Sequence, residues 1–86
     1  MDVKETVFHF FKTHAKKTIP GETDEEHMSC YYLDSGVIDS LGIVEMIMEL
    51  EGKYGIYFTD DHLQSYEFQT IGGLIKLVES MIKEKQ

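Results

Sequence analysis

The sequence predicts an all-α fold: a four-helix bundle of three longer helices and one short one, with a long loop between the first two. Three observations carry this prediction. Apolar residues recur at spacings of three and four in three separate segments, which is the helical period. No stretch alternates apolar and polar residues in the way a half-buried strand would. A chain of 86 residues also leaves room for one core only, so residues 1–86 are expected to form a single domain.

The first helix is predicted over residues 3–16, where Val3, Val7, Phe8, Phe11 and Ala15 share one face. It stops before Pro20, whose ring pushes Ile19 away from helical dihedrals, and Gly21 follows. Residues 20–38 hold no sustained period and read as a long loop, with the Tyr31-Tyr32-Leu33 cluster apolar enough to tuck under the bundle. Loops of this length in compact domains are often functional.

The second helix is predicted over residues 40–54, with Asp39 as its N-cap and Gly55 in the left-handed conformation that closes it. At about 100° per residue, Ile43, Met46, Ile47, Leu50 and Tyr54 fall within one arc of roughly 100° and face a core. Leu41, Val44 and Met48 form a second stripe roughly 140° away, bordered by Glu45, Glu49 and Glu51. That stripe is either further core beneath the long loop or an exposed docking line. Residues 59–66 predict a short helix capped by Thr59, with Asp60 and Asp61 at its positive end and Leu63 and Tyr66 facing inward. Thr70 caps a last helix, in which Ile71, Leu74, Ile75, Val78, Met81 and Ile82 repeat at three and four and Lys83 and Lys85 suit the C-terminal end.

Charge narrows the function. Sixteen acidic residues against eight lysines and no arginine give a net charge of −8, which repels phosphate backbones and argues against nucleic acid as a partner. The charge is uneven. Residues 18–70 hold one lysine and twelve acids, whereas residues 1–17 and 71–86 together hold seven lysines and four acids. No apolar run approaches the ~20 residues of a membrane span, and the first residues lack a signal peptide's apolar stretch. A cytoplasmic, monomeric protein without membrane insertion is expected. The lone Cys30 has no internal disulfide partner.

Motifs of catalysis are missing: there is no HExxH, no GxSxG, no P-loop and no glycine fingerprint of a dinucleotide site. No catalytic residue and no metal ligand is therefore assigned. Asp24-Glu25-Glu26-His27 with Cys30 matches no strong metal spacing and reads as a solvated loop. Phe8, Phe10 and Phe11 read as core. What remains is Ser40, placed at a helix start beside a long loop and ahead of an acidic helix, where another enzyme could reach its hydroxyl. A phosphate there would meet the positive end of the helix dipole and free backbone N–H groups.

From about Asp34 to Val78 the sequence resembles the acyl carrier protein family. The resemblance is carried by Asp39-Ser40-Leu41, by Val44-Glu45 one turn on, by Glu49-Leu50-Glu51 and by Tyr54-Gly55-Ile56. Phe68-x-Thr70-Ile71-x-x-Leu74 extends it into the last helix. It implies a bundle of acyl-carrier type in which Ser40 bears a covalent phosphopantetheine donated by coenzyme A. The thiol of that group would hold an acyl or aminoacyl cargo as a thioester. The implied partners are a phosphopantetheinyl transferase, a ligase that loads the acyl or aminoacyl group, and downstream acyl-transferring enzymes.

By the same resemblance, Asp39, Leu41, Val44, Glu45 and Met48 match positions that carriers present to partners. Ile47, Leu50, Phe58, Leu63 and Leu74 match or neighbour positions lining the space where some members shelter a chain. Such carriers serve fatty-acid, secondary-metabolite or peptide synthesis, or D-alanylation. Fatty-acid carriers usually read Gly-Ala-Asp-Ser-Leu-Asp, whereas Gly36-Val37-Ile38-Asp39-Ser40-Leu41-Gly42 is more similar to D-alanyl and free-standing peptidyl carriers. Tyr57 and Phe58 replace smaller or more polar residues and are expected to fill space that a long chain would need. The alternative is an unmodified acidic adaptor that docks partners through the helix starting near Ser40.

Overall fold

The computed structural model describes residues 2–85. In chain order the elements are α1 (Val3–His14), α2 (Asp24–Met28), α3 (Ser40–Tyr54), α4 (Asp60–Gln64), a 3-10 turn (Tyr66–Gln69) and α5 (Ile71–Lys85). The expected all-α architecture is present, with an additional one-turn helix inside the long loop. Among the described residues the only strand-like pairing is a single antiparallel bridge between Tyr31 and Thr70. No helix among them is long and apolar enough to cross a membrane.

Each helix start has a local cause. The carboxylate of Asp2 accepts the Glu5 N–H at 2.8 Å, and the hydroxyl of Thr70 accepts the Gly73 N–H at 3.0 Å. Thr59 caps α4 reciprocally, because the His62 N–H donates to its hydroxyl while the ring of His62 accepts the Thr59 N–H. The extra helix, α2, arises in the same way. Thr23 accepts the Glu26 N–H, and Asp24, Glu25 and Glu26 crowd its positive end. Thr23-x-x-Glu26 is a capping signature in the sequence, but five residues are too few to show a period.

The core is shared by α1, α3, α5 and the loop before α3. Val3, Val7, Phe10 and Phe11 of α1 pack with Met46 and Leu50 of α3 and with the buried face of α5. On α1, Phe10 and Phe11 are buried as expected of core residues, whereas Phe8, also expected in the core, is only half-buried. Phe8 instead lies at the edge, its ring 6.4 Å from that of His27 in α2. Thr6, a polar side chain buried beside this core, accepts a hydrogen bond from the Tyr54 hydroxyl at 2.8 Å and so ties α1 to the end of α3. On α5 the buried arc also takes in Leu77, which the three-and-four pattern omitted.

Two tyrosines correct the sequence reading. Tyr66 is 86% exposed rather than inward, because α4 ends at Gln64 and the 3-10 turn that follows brings Phe68 to the core instead. Tyr57 is 74% exposed and fills no interior space. After Gly55, whose φ of 64° ends α3, the chain runs extended, so Ile56 and Phe58 point in and Tyr57 points out. The side chain of Glu51 accepts the Phe58 N–H at 2.9 Å and holds that extended segment against α3.

Candidate functional site

The site is built around the first turn of α3. Val37 and Ile38, just before it, are buried and anchor the incoming loop. The Lys16 N–H donates to the Val37 carbonyl at 2.7 Å, and the Ile38 N–H donates to the Tyr32 carbonyl at 3.1 Å. Held from both sides, the chain reaches Asp39 in an extended conformation, and its Oδ1 accepts the Gly42 N–H at 2.9 Å. Lys16 Nζ lies 3.0 Å from the other oxygen of Asp39. The Gly42 N–H first, and the Lys16 ammonium second, hold the Asp39 carboxyl below the usual aspartate range, so it caps α3 as a carboxylate.

Ser40 is the first residue of α3 and is exposed. Because Asp39 supplies the cap, the Ser40 hydroxyl is not needed for it. The N–H groups of Ser40 and Leu41 have no acceptor within the helix, since helix geometry gives the first turn no preceding carbonyl. An exposed hydroxyl, two N–H donors and the positive end of a four-turn helix therefore coincide at the surface.

The second stripe of α3 is exposed: Leu41 at 66%, Val44 at 51% and Met48 at 66%. The loop before α3 does not cover it, because that loop turns Tyr32, Val37 and Ile38 into the core. Glu45 and Glu49 are exposed alongside, and Glu45 lies 3.7 Å from the His14 ring. Asp39, Leu41, Val44, Glu45 and Met48 thus share one continuous surface running from Ser40 along α3.

The five residues considered for a cargo space differ in their surroundings. Leu50, Phe58 and Leu74 are buried in the packed core and Ile47 is half-buried. Leu63 sits at the surface on the rim of a cleft of about 290 Å³, between the loop before α3, the first turns of α3, α4 and the 3-10 turn. Ile43, one turn along α3 from Ser40, forms part of that cleft.

Two residues matter here that sequence reasoning passed over or read differently. Gly42 is buried and packed directly under Ile38: a Cβ at this position would collide with Ile38 Cγ1 and lie 2.8 Å from its Cδ1. The bulky Ile38 and the glycine four residues on are therefore one packing unit, which the sequence shows only as two separate identities. Tyr32, assigned no role beyond its apolar cluster, is 1% exposed and borders the cleft. No periodicity could mark it, since it sits in irregular chain.

Comparison with known proteins adds the family. Residues 21–78 match the family described as phosphopantetheine attachment site. The chain is also similar to a D-alanyl carrier protein of Leuconostoc citreum, 33% identical over 82 residues that make up 95% of this chain and 99% of that relative. A D-alanyl carrier protein of Streptococcus suis is 30% identical over 84 residues, covering 93% of this chain and all of the relative. A third, from Streptococcus pyogenes serotype M1, is 30% identical over 81 residues, 94% of this chain and 96% of its own length.

Proposed function

The chain belongs to the phosphopantetheine-attachment family as a carrier protein of D-alanyl type, and from that premise we propose that Ser40 is its attachment residue and that its cargo is D-alanine or a similarly short aminoacyl or acyl group. The cofactor is a covalently attached phosphopantetheine, and the protein is a carrier, not an enzyme. When bound, that group supplies a thiol on a long arm, on which a carboxylic acid is held as a thioester. The observation that carries the assignment is the exposed Ser40 hydroxyl at the start of α3, left free by the Asp39 cap.

The residues suit the group. The phosphate joined to Ser40 Oγ would sit at the N-terminus of α3, where the dipole and the Ser40 and Leu41 N–H groups favour an anion. In the attachment step Ser40 Oγ forms the new P–O bond, the nucleotide half of coenzyme A leaves, and the hydroxyl proton passes to a base of the modifying enzyme. That division of labour accounts for a serine with no base beside it.

A phosphopantetheinyl transferase, a loading ligase and the enzymes that take the cargo would dock on the stripe that runs from Ser40. Its apolar residues, Leu41, Val44 and Met48, hold a complex, while Asp39 and Glu45 favour a basic rim on the partner. Glu45→Lys is expected to slow modification roughly tenfold at low salt, with the deficit shrinking as salt rises, since a rim charge acts mainly on association rate. Met48→Ala should slow it with little salt dependence and little loss of stability, as its side chain is solvent-exposed. If Met48→Ala lowers the melting temperature strongly and leaves the kinetics alone, the docking assignment fails.

Short cargo is supported by the packing of Leu50, Phe58 and Leu74 and by the relatives being D-alanyl carriers. A long chain would have to open the core to gain ~0.8 kcal/mol per buried methylene. Loading the holo protein with D-alanine or acetate should therefore leave its melting temperature nearly unchanged, and a medium-length fatty acyl group should add no large stabilisation. A clear rise with the fatty chain, together with preferred loading by a fatty-acyl enzyme over an aminoacyl-adenylating one, overturns the short-cargo reading.

A further inference from the structure

Phe8, Phe11, Lys12 and Ala15 stand at spacings of three and four, so they share one stripe of α1. Phe11 is fully buried at the base of that stripe, while Phe8 and Ala15, half-buried, line a cavity of about 530 Å³. The chain that follows α1, through Lys16, Lys17 and Ile19 to Gly21, forms a second wall. His27 of α2 forms a third, its ring set edge-on to that of Phe8 and its Nε2 bonded to the Gly21 carbonyl at 2.9 Å. Small-molecule sites occupy about 300 to 1,000 Å³, and this cavity lies within that range.

Its charge is opposite to that of the molecule. Sixteen acids to eight lysines offer every lysine a choice of carboxylates, yet Lys12, Lys16 and Lys17 line this cavity and no aspartate or glutamate does. Among the described residues only Lys16 of the three has a carboxylate partner, Asp39 at 3.0 Å. Lys17 Nζ donates to the neutral Ser35 carbonyl at 3.2 Å, and Lys12 forms no ion pair. Glu26, packed behind Gly21, is turned to the Thr23 hydroxyl, from which it accepts at 3.2 Å. Like charges gathered beside an apolar floor repel one another, and an anion between them relieves that repulsion. The cavity lies at the carbonyl end of α1, where the helix dipole disfavours an anion, so the ammonium groups must supply the attraction. They are near enough to do so. At 0.15 M salt the Debye length is about 8 Å, which screens the distant acids more than lysines in contact with a ligand.

We propose that this cavity is a binding site for a small amphipathic anion: a carboxylate or phosphate head met by Lys12 and Lys17, with a short apolar tail along Phe8, Ala15 and Ile19. A single cavity walled by α1, the chain after it and α2 suits a small molecule better than a length of polypeptide. The site is separate from Ser40 and from the exposed stripe of α3, and it requires no group attached to either.

The test titrates the full chain, in its apo form, with octanoate, octyl phosphate, octanol and inorganic phosphate, read by amide chemical shifts. One or both of the two amphipathic anions should bind with a Kd of about 0.1 to 1 mM, as befits a ligand of about ten heavy atoms, and the tighter of them identifies the head group. The shifts should centre on Phe8, Ala15, Ile19 and His27. Octanol and inorganic phosphate each offer half of the chemistry and should bind at least fivefold more weakly. Lys12→Glu should weaken the amphipathic anions at least fivefold and leave the octanol response unchanged, whereas Lys16 is kept because it also holds Asp39. Ala15→Phe, which fills the cavity from its wall, should erase the shifts and serves if Lys12→Glu does not fold. Ser40→Ala should bind as the wild type does. No saturable shift with either amphipathic anion, shifts centred on Leu50 and Leu74, equal binding of octanol, or binding undiminished in both cavity variants overturns the site. A response to a glutamate-rich peptide with none to either amphipathic anion overturns it in favour of a protein partner.

Discussion

Ser40→Ala is expected to abolish phosphopantetheine attachment completely while the protein stays folded. Intact mass after incubation with coenzyme A and a broad-specificity phosphopantetheinyl transferase should show one added group on the wild type and none on the variant. Folding should survive because Asp39, not Ser40, accepts the Gly42 N–H that caps α3, and because alanine favours a helix slightly more than serine. The stability change should stay within about 0.5 kcal/mol, as for other surface substitutions that touch no cap or core. A mass gain that persists in Ser40→Ala refutes the assignment. A variant that unfolds would show instead that the hydroxyl has a structural role not visible in its surroundings.

The second large effect is one of packing. Gly42→Val should destabilise the protein by roughly 2 to 3 kcal/mol, because its side chain must enter space that Ile38 already fills. At about 4 to 8 °C per kcal/mol the melting temperature should fall by roughly 10 to 20 °C. Valine is the informative choice, since alanine would recover about 1 kcal/mol of helix propensity relative to glycine and mask part of the strain. The displaced Ile38 is covalently next to Asp39, so the cap and the orientation of Ser40 should suffer with it, and attachment should slow even below the melting transition. Ile38→Ala alone creates a cavity and costs about 2 to 5 kcal/mol, but combined with Gly42→Val it vacates the contested space. The double variant should therefore be more stable than the sum of the two single losses by at least 1 kcal/mol. Additivity within about 0.5 kcal/mol would mean that the two side chains do not compete.

This pairing bears on the motif itself. Gly36-Val37-Ile38-Asp39-Ser40-Leu41-Gly42 drew attention as a family signature, and the structure supplies a physical reason for its two unusual members. Ile38 is buried where a small residue would leave a gap, and Gly42 gives it room. The exposed stripe of α3 shows the opposite relation. Its residues were identified by angle alone, and only the course of the preceding loop decided that they face solvent.

What the sequence determined by itself is local. α3 runs from Ser40 to Tyr54 with Asp39 and Gly55 at its ends, and Thr59 and Thr70 cap the helices that follow them, because capping depends on groups within four residues of one another. Ser40, proposed here as the attachment residue, could be singled out for the same reason, its surroundings lying in one turn of chain. The tertiary structure decided everything that depends on what lies opposite. Phe8 is only half-buried at the edge of the core while Phe10 is fully buried, Tyr66 and Tyr57 point outward while Phe68 and Phe58 point in, and Tyr32 is buried beside a cleft with its hydroxyl unpaired. Periodicity says which residues share a face, but which face is covered depends on partners distant in sequence, and a buried tyrosine in irregular chain has no period to betray it.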